Sequence, residues 1–455
     1  MGPPTTILSL PNELLVAIAA SGQHDHGPHT PVTSRSEWIL SHLCRRFRDT
    51  IIAAPALWTN ISISLSISWK KLQDRQQYEE ILRLYLRRSI PLTVSVSLRI
   101  VVFFLAGVVE LFTKWLHQIA PEMERVRSLS VDLGLEADDM GLALAPLRHL
   151  AAPNLVSLNI TNHNTSSLLR CPFELFSSGT PKLSSVQLNG LLPFPIPSWM
   201  SSSSLTHLEV RAGQKDLIGD DTALLSSIVM RPIALVHLHL DLTGVVSTAP
   251  TDPQFRIPSL QSLSIHINEN HNQLHLAFIL DLFDCPVLTE LAIAGSHGDQ
   301  IFYLFQLLVP SVPRSTFPVL RSLSFIYEYA EGCSCREDTF LGSRIDHSNG
   351  TLLFPALSSL SLVGQCFTAR LVKEILGAQA LPWPHLKTLT LSPIKSISDV
   401  RKALQDAVQR SPLPIPKLRL GQALFFLEDW QDGRVDVEVF DPEEILKPFR
   451  KSCSW

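Results

Sequence analysis

The chain has 455 residues, 45% of them hydrophobic and 18% charged, with a net charge of -4 and an isoelectric point near 6.5. It therefore lacks the basic footprint of a nucleic-acid binder. The length exceeds what one compact core encloses, so the expectation is a small N-terminal module followed by one extended body. Seven unevenly spread cysteines do not form a disulfide framework and fit a reducing compartment, with Cys44, Cys171 and Cys285 expected as small buried hydrophobes.

The start has no basic leader region, and the apolar stretch at 14–20 follows helix logic, so no secretory signal is read. Gly2 and Thr6 outline a myristoylation signal, against which Pro3 and Pro4 stand. Leu10-Pro11-Asn12-Glu13-Leu14-Leu15 opens a first helix: Pro in the first turn loses no hydrogen bond, Glu13 meets the positive end of the dipole, and Leu14, Leu15 and Ile18 share a face. A His-, Pro- and Ser-rich insertion follows at 21–36. Leu40, Leu43, Cys44, Phe47 and Ile51 then form a second apolar stripe beside Arg45, Arg46 and Arg48, and Pro55-Ala56-Leu57-Trp58 is expected as an extended closing segment with a large anchor.

Tyr78, Ile81, Leu82 and Tyr85 line a linking helix, and 91–96 alternates like a first strand, so the extended body is expected to begin near Leu92. The most hydrophobic run, 100–112, spans roughly 13 residues and contains Glu110. It is too short to cross a bilayer and is read as a buried strand leading into a helix.

From there one phrase recurs, a turn residue followed by Leu-x-x-Leu-x-Leu. It reads NLVSLNI from Asn154, SLTHLEV from Ser204, ALVHLHL from Ala234, SLQSLSI from Ser259, VLTELAI from Val287, VLRSLSF from Val319, ALSSLSL from Ala356 and HLKTLTL from His385, with weaker copies from Arg125 and Lys182. The copies lie roughly 22 to 37 residues apart, the spacing of a solenoid that stacks one short strand per unit. Alternation within each copy sends Leu263 and Ile265 to one face and Ser262, Ser264 and His266 to the other, so a unit buries its apolar face only against its neighbours. Helical stripes at Leu276, Ile279, Leu280 and Phe283, at Ile301, Leu304, Phe305 and Leu308, and at Val400, Ala403, Leu404, Ala407 and Val408 suggest strand-then-helix units, an α/β horseshoe. Pro310, Pro313 and Pro318 mark a loop, and 333–349 is a polar excursion. Val435, Val437 and Val439 alternate in a last strand before a charged tail expected to fray.

The stretch from Leu10 to Trp58 resembles the F-box. Its matching residues are Leu10, Pro11, Glu13, Leu14, Leu15 and Ile18, then Leu40, Leu43, Cys44, Arg45 and Phe47, then Pro55, Leu57 and Trp58. With the repeats behind it, the chain is similar to the F-box and leucine-rich-repeat proteins of filamentous fungi. It departs from that pattern in the 21–36 insertion and in lacking a regular Asn ladder after the last Leu of each repeat. The resemblance implies an N-terminal three-helix F-box module at 1–62, a linking helix at 63–91, an irregular leucine-rich-repeat solenoid at 92–440 and a tail at 441–455. It further implies a cytoplasmic or nuclear adaptor that docks on the Skp adaptor of a cullin-RING ubiquitin ligase and holds a protein substrate. The alternative is a ligase-independent scaffold that uses the solenoid alone.

The outward rungs of the ladder read Ser130, Asn159, Gln187, Glu209, His239, Ser264, Ala292, Ser324, Ser361 and Thr390. They lack the Trp, Tyr and Arg anchors that dominate interfaces, except where His207, Glu209 and Arg211 on one strand precede His237, His239 and Asp241 on the next. That set is the candidate substrate patch, titratable through its histidines; its bland reading is a solvated face of compensating charges. No P-loop, G-x-S-x-G, H-E-x-x-H or strand-linked G-x-G-x-x-G occurs, so no enzyme is expected. His24, His26 and His29 have a spacing that could gather a metal, and Cys333 and Cys335 could add thiolates, but no second cluster completes a tetrahedral set, and neither metal nor cofactor is expected.

Overall fold

The computed structural model describes residues 7, 10–24, 34–66, 75–101, 107–163, 169–171, 174–193, 197–211, 228, 231–241, 255–266, 283–295, 317–326, 354–365, 385–393, 397–410, 417–421, 436–442 and 445. The chain divides into two compact units, Met1–Gly213 and Gln214–Trp455. The division falls inside the span read from sequence as one extended body.

The first unit opens with helix α1 (Asn12–His24). The Pro11 carbonyl accepts the Leu14 and Leu15 N–H groups at 3.1 and 3.2 Å, satisfying donors that a helix start otherwise leaves open. The second stripe is two helices rather than one, α2 (Ser36–Leu43) and α3 (Arg45–Ile52). Cys44 between them is extended, at φ -156° and ψ 171°. The break lets Phe47 and Ile51 turn into the core while Leu43 stays outside, and it leaves Cys44 half-buried instead of buried. The closing segment is a 3-10 turn, Pro55–Trp58, not an extended stretch. Its Trp58 is buried, and the indole N–H donates to the Ile51 carbonyl at 3.0 Å.

Six parallel strands follow in register: β1 (Asn60–Ser66), β2 (Val94–Val101), β3 (Val126–Leu133), β4 (Ser157–Asn162), β6 (Ser185–Asn189) and β8 (His207–Arg211). The ladder thus begins one strand earlier than Leu92. Ile61, Ile63 and Leu65 are buried and alternate with serines, so β1 pairs with β2 like any later rung. Helices α4 (Arg75–Arg88), α5 (Val108–Ile119) and α6 (Ala137–Leu144) follow β1, β2 and β3. Of the apolar run at 100–112, the first residues end β2 and the last ones begin α5, which buries Val108, Leu111, Phe112, Trp115, Leu116 and Ile119, while 102–106 lies outside the described residues. Among the described residues the connections after β4 hold short pieces, β5 (Leu169–Cys171) paired with β7 (Leu191–Pro193) and a 3-10 turn at Ser198–Ser201. Gly190 (φ +70°) permits the tight turn after β6, where a Cβ would stand 2.3 Å from the Asn162 carbonyl oxygen.

The second unit repeats the rule with eight parallel strands: β9 (His237–Asp241), β11 (Ser262–His266), β13 (Glu290–Ala294), β14 (Ser322–Ile326), β15 (Ser359–Gln365), β16 (Thr388–Pro393), β17 (Lys417–Gly421) and β18 (Val437–Phe440). A two-residue pair, β10 (Phe255–Arg256) with β12 (Phe283–Asp284), lies outside that ladder. Helix α7 (Ile397–Arg410) buries Val400, Ala403 and Leu404 as the sequence predicts. Of the helical stripe at 276–283 only Phe283 is described, and it lies in the short strand β12 instead of a helix; the stripe at 301–308, the Pro310 and Pro313 loop and the excursion at 333–349 lie outside the described residues.

All ten Leu-rich phrases form strands, and their turn residue has a fixed job. In both units the N–H of the first Leu bonds back three residues, Leu155 to Ala152, Leu183 to Thr180, Leu260 to Ile257, Leu288 to Cys285, Leu320 to Phe317 and Leu357 to Phe354, at 3.1 to 3.3 Å. Pro153, Pro181, Pro258, Pro286, Pro318 and Pro355 occupy the second place of these turns, where a fixed φ is already correct. The residue opening each turn is buried, so Cys285 stands in a row with Ile257, Phe317 and Phe354. Burial pushes its thiol up to about 12, an inert packing group. Each buried Leu, Ile or Phe side chain of the rows contributes about 1.5–3 kcal/mol. The last strand lies where the sequence places it, and Val437 and Val439 stand in register with Leu418 and Leu420 of β17. Val439 is exposed and Phe440 buried, because β18 has β17 on one side only and its inward residue packs on the opposite face.

Candidate functional site

Two surfaces can meet a partner. The first is built on the opening helices, whose inner side is well specified. Leu15, Ala19, Phe47, Ile51, Leu57 and Trp58 are buried, the Gln23 amide donates to the Leu57 carbonyl at 2.7 Å, and the Ser36 hydroxyl donates to the Ala19 carbonyl at 2.7 Å. Arg46 donates to the Leu10 carbonyl, and to Asn12 Oδ1 at 3.1 Å. Part of the stretch read as an insertion therefore belongs to the packed structure: α1 runs on to His24 and Ser36 begins α2, while 25–33 lies outside the described residues.

The outer side is apolar. Leu14 and Ile18 on α1 are 49% and 44% exposed, and Ile39 and Leu43 on α2 are 47% and 60% exposed. Each pair is spaced i, i+4 and shares a helix face. Of the residues expected to dock, Pro11 and Glu13 are also exposed, and Leu10, Leu40, Cys44 and Pro55 are half-buried. Leu15, Phe47, Leu57 and Trp58 are enclosed and hold the helices together, so they cannot themselves touch a partner. Ile39, which sequence reasoning passed over, takes a place beside Leu43; its spacing of four from Leu43 was the available signal.

A buried polar joint connects these helices to the first strands, and no motif announced it. Glu37 is 1% exposed, and the Tyr85 hydroxyl on α4 donates to its Oε1 at 2.7 Å. Burial first, and then the Glu37 carboxylate, raise the Tyr85 pKa well above its ordinary value. Arg35 donates to the Asn60 carbonyl at 3.3 Å and to the Ser62 carbonyl of β1. The Arg88 guanidinium lies 4.4 Å from the Trp58 ring centroid, and Trp58 meets Tyr85 edge to face at 4.9 Å. Burial is also the main reason the Arg88 pKa is lowered.

The second surface is the ladder face of each unit. In the first unit the rungs Ser130, Asn159, Gln187 and Glu209 are half-buried. Two residues on, a second row carries Arg99, Asp132, Thr161, Asn189 and Arg211 in register. Arg99 and Asp132 stand 3.1 Å apart, His163 adjoins Asp132, and Arg211 pairs with Glu209 of its own strand. Of the candidate substrate residues, His207, Glu209 and Arg211 lie on β8, the last ladder strand of the first unit; His207 is exposed, and its Nδ1 is 2.8 Å from the Thr206 hydroxyl. His237, His239 and Asp241 lie on β9, the first ladder strand of the second unit, where Asp241 stands 3.5 Å from His266. The six residues thus belong to two units, three to each.

In the second unit His239, Ser264, Ala292 and Ser324 are half-buried, but Ser361 and Thr390, expected as open rungs, are buried. The second row there includes Ala294, Ile326 and Val363, which form an apolar cluster with Phe440. That cluster draws in Ile445, so at this residue the tail packs instead of fraying.

Among the described residues no group of three or more His, Cys, Asp or Glu is placed to hold a metal ion, and no helix is long and apolar enough to cross a membrane. His26, His29, Cys333 and Cys335 lie outside the described residues, as does the side chain of His24. The class of protein this defines is an α/β chain of stacked parallel strands, solenoid-like in construction. No family model and no curated protein sequence matches it. It is similar to a solved structure of a Bacteroides fragilis protein at 14% identity, over 70% of this chain and 80% of that one, with a TM-score of 0.34; so shallow a likeness carries no argument about function.

Proposed function

We propose that this chain is the substrate-recognition adaptor of a Skp-cullin-F-box ubiquitin ligase, with α1 to α3 as the F-box that docks on the Skp adaptor and the strand ladders as the leucine-rich-repeat surface for a protein substrate. The observation that supports it is the division of labour on the opening helices. Residues of the F-box pattern that must hold the module together are inside, while Leu14, Ile18 and Leu43 are outside with Ile39. Four exposed aliphatic side chains on two adjacent short helices are more than a covering for the first strand requires, and exposed apolar surface of this kind marks contact with a partner.

The test is retention of the full chain on purified Skp adaptor. Wild type is expected to be held, and Leu14→Asp combined with Leu43→Asp to lose at least ten-fold in affinity, since both changes place charge at the contact and leave the buried set intact. A wild-type chain that fails to bind would sink the adaptor reading and favour the ligase-independent scaffold.

A further inference from the structure

The first strand of the ladder has one edge that no described strand covers, and a buried charge occupies it. β1 stands at the end of the strand order, with β2 as its ladder partner. The Ser95 N–H donates to the Thr59 carbonyl at 2.9 Å, and the register then turns the backbone groups of Ile61 and Ile63 toward β2 and leaves those of Asn60, Ser62 and Ser64 on the opposite edge. Arg35, the residue that precedes α2, reaches that edge. Its guanidinium donates to the Asn60 carbonyl at 3.3 Å and to the Ser62 carbonyl. The side chain is nearly enclosed, at 7% exposed, and lies 5.9 Å from the Tyr85 ring centroid. One forked cation thus holds two consecutive outward carbonyls. The strand is of a kind that needs closing: Asn60–Ser66 reads NISISLS, seven residues that alternate aliphatic and polar with no charge, proline or glycine, a composition that pairs readily with another strand. Asn60 is exposed, and Ser62 and Ser64 are half-buried, so β1 is not sealed from solvent. β18, with β17 on one side only, is protected by other means, being four residues long, bearing Glu438 and following Asp436.

We propose that Arg35 is an edge guard: by occupying the Asn60 and Ser62 carbonyls it prevents a second copy of this chain from pairing along β1. The opening helices then have a task besides docking, and the inference stands whether or not the Skp adaptor is their partner. A buried guanidinium suits the task, because an incoming strand would leave it with neither its acceptors nor water. Without it the two carbonyls lose their donor, and the N–H groups of a second β1, turned about a two-fold axis, supply the replacement.

The experiment compares the full wild-type chain, Arg35→Met, and Arg35→Met combined with Ser62→Lys. Sedimentation velocity is run from about 1 to about 50 μM, with hydrogen exchange of residues 60–66 measured at both ends of that range. Wild type is expected to keep the same sedimentation coefficient and the same β1 exchange throughout. Arg35→Met is expected to shift toward a dimer as concentration rises, with exchange at Ser62 and Ser64 slowed about ten-fold at the upper end. Adding Ser62→Lys should restore the monomer, because a two-fold pairing of β1 would set like charges against each other across the new edge. The proposal is overturned by an Arg35→Met chain that stays monomeric, or by one that associates while β1 exchange ignores concentration. It is equally overturned if Ser62→Lys leaves the association in place, or if Arg35→Met abolishes cooperative unfolding, since Arg35 would then hold the fold and not the edge.

Discussion

The two ladders share one backbone rule and differ in a single row of side chains. Two residues past the rung, the first unit places Arg99, Asp132, Thr161, Asn189 and Arg211, whereas the second starts with Asp241 and His266 and turns apolar at Ala294, Ile326 and Val363. The core rows of the two units are interchangeable in character, all Leu, Ile, Val and Phe. What distinguishes the units therefore lies on the face that stacking leaves unused. Where that face is charged, its members pair with one another, as Arg99 does with Asp132. Where it is apolar, it shares one cluster with Phe440 and Ile445 from later in the chain. Repeat architecture fixes the stack; the second row decides whether a face carries ion pairs or an apolar cluster.

The harshest way to break this comparison is Ile326→Asp, which puts a carboxylate into the covered row. It should cost about 3–4 kcal/mol, read as a lower denaturation midpoint for the second unit, and an unchanged midpoint would mean the row is not enclosed. The parallel change in the first unit, Asp132→Asn, should cost no more than about 1 kcal/mol, because a partly exposed ion pair stabilises little; a loss as large as that of Ile326→Asp would erase the distinction.

Acidification sharpens the contrast most gently. The Glu438 pKa is lowered below its ordinary 4.5, chiefly by the hydrogen bond from Lys417 and next by Arg419. Its contribution is therefore full above pH 4.5 and fades as pH falls through the lower folded value. The Lys417 pKa is raised above 10.5, chiefly by the same bond, so its share is lost only as pH rises past that. The protection factors of the β18 amides, taken relative to the intrinsic exchange rate at each pH, should fall modestly from pH 6 to pH 3, and unchanged protection would show the pair to be idle.

Most of the ladder was legible because its signal is periodic. Leu at fixed steps after Pro determines both the strand and its turn, as at Pro286 and Leu288. β1 was missed because Ile61, Ile63 and Leu65 alternate with serines but follow no Leu-x-x-Leu phrase. Glu37 was missed because apolar patterning ignores carboxylates, and its burial depends on Tyr85, 48 residues away. The Val-x-Val-x-Val of the last strand identified β18, whose Val437 and Val439 stand in register with Leu418 and Leu420, but not that an edge strand exposes Val439 and buries Phe440. Ser361 and Thr390 looked open because alternation tells which face a residue is on and not whether that face is exposed; both are buried. On the opening helices, the pattern identified the residues but not which way they face. Leu14 and Leu15 are adjacent in sequence and opposite in exposure.

The hydrogen bond between Tyr85 and Glu37 has a mechanical meaning. A carboxylate and a phenol sealed together, with an arginine laid on the neighbouring indole, leave no swivel between the opening helices and the strands of the first unit. Whatever grips Leu14 and Leu43 carries β1 and β2 with it as one piece. Angle and reach at that end of the molecule are accordingly set during folding rather than adjusted at each encounter.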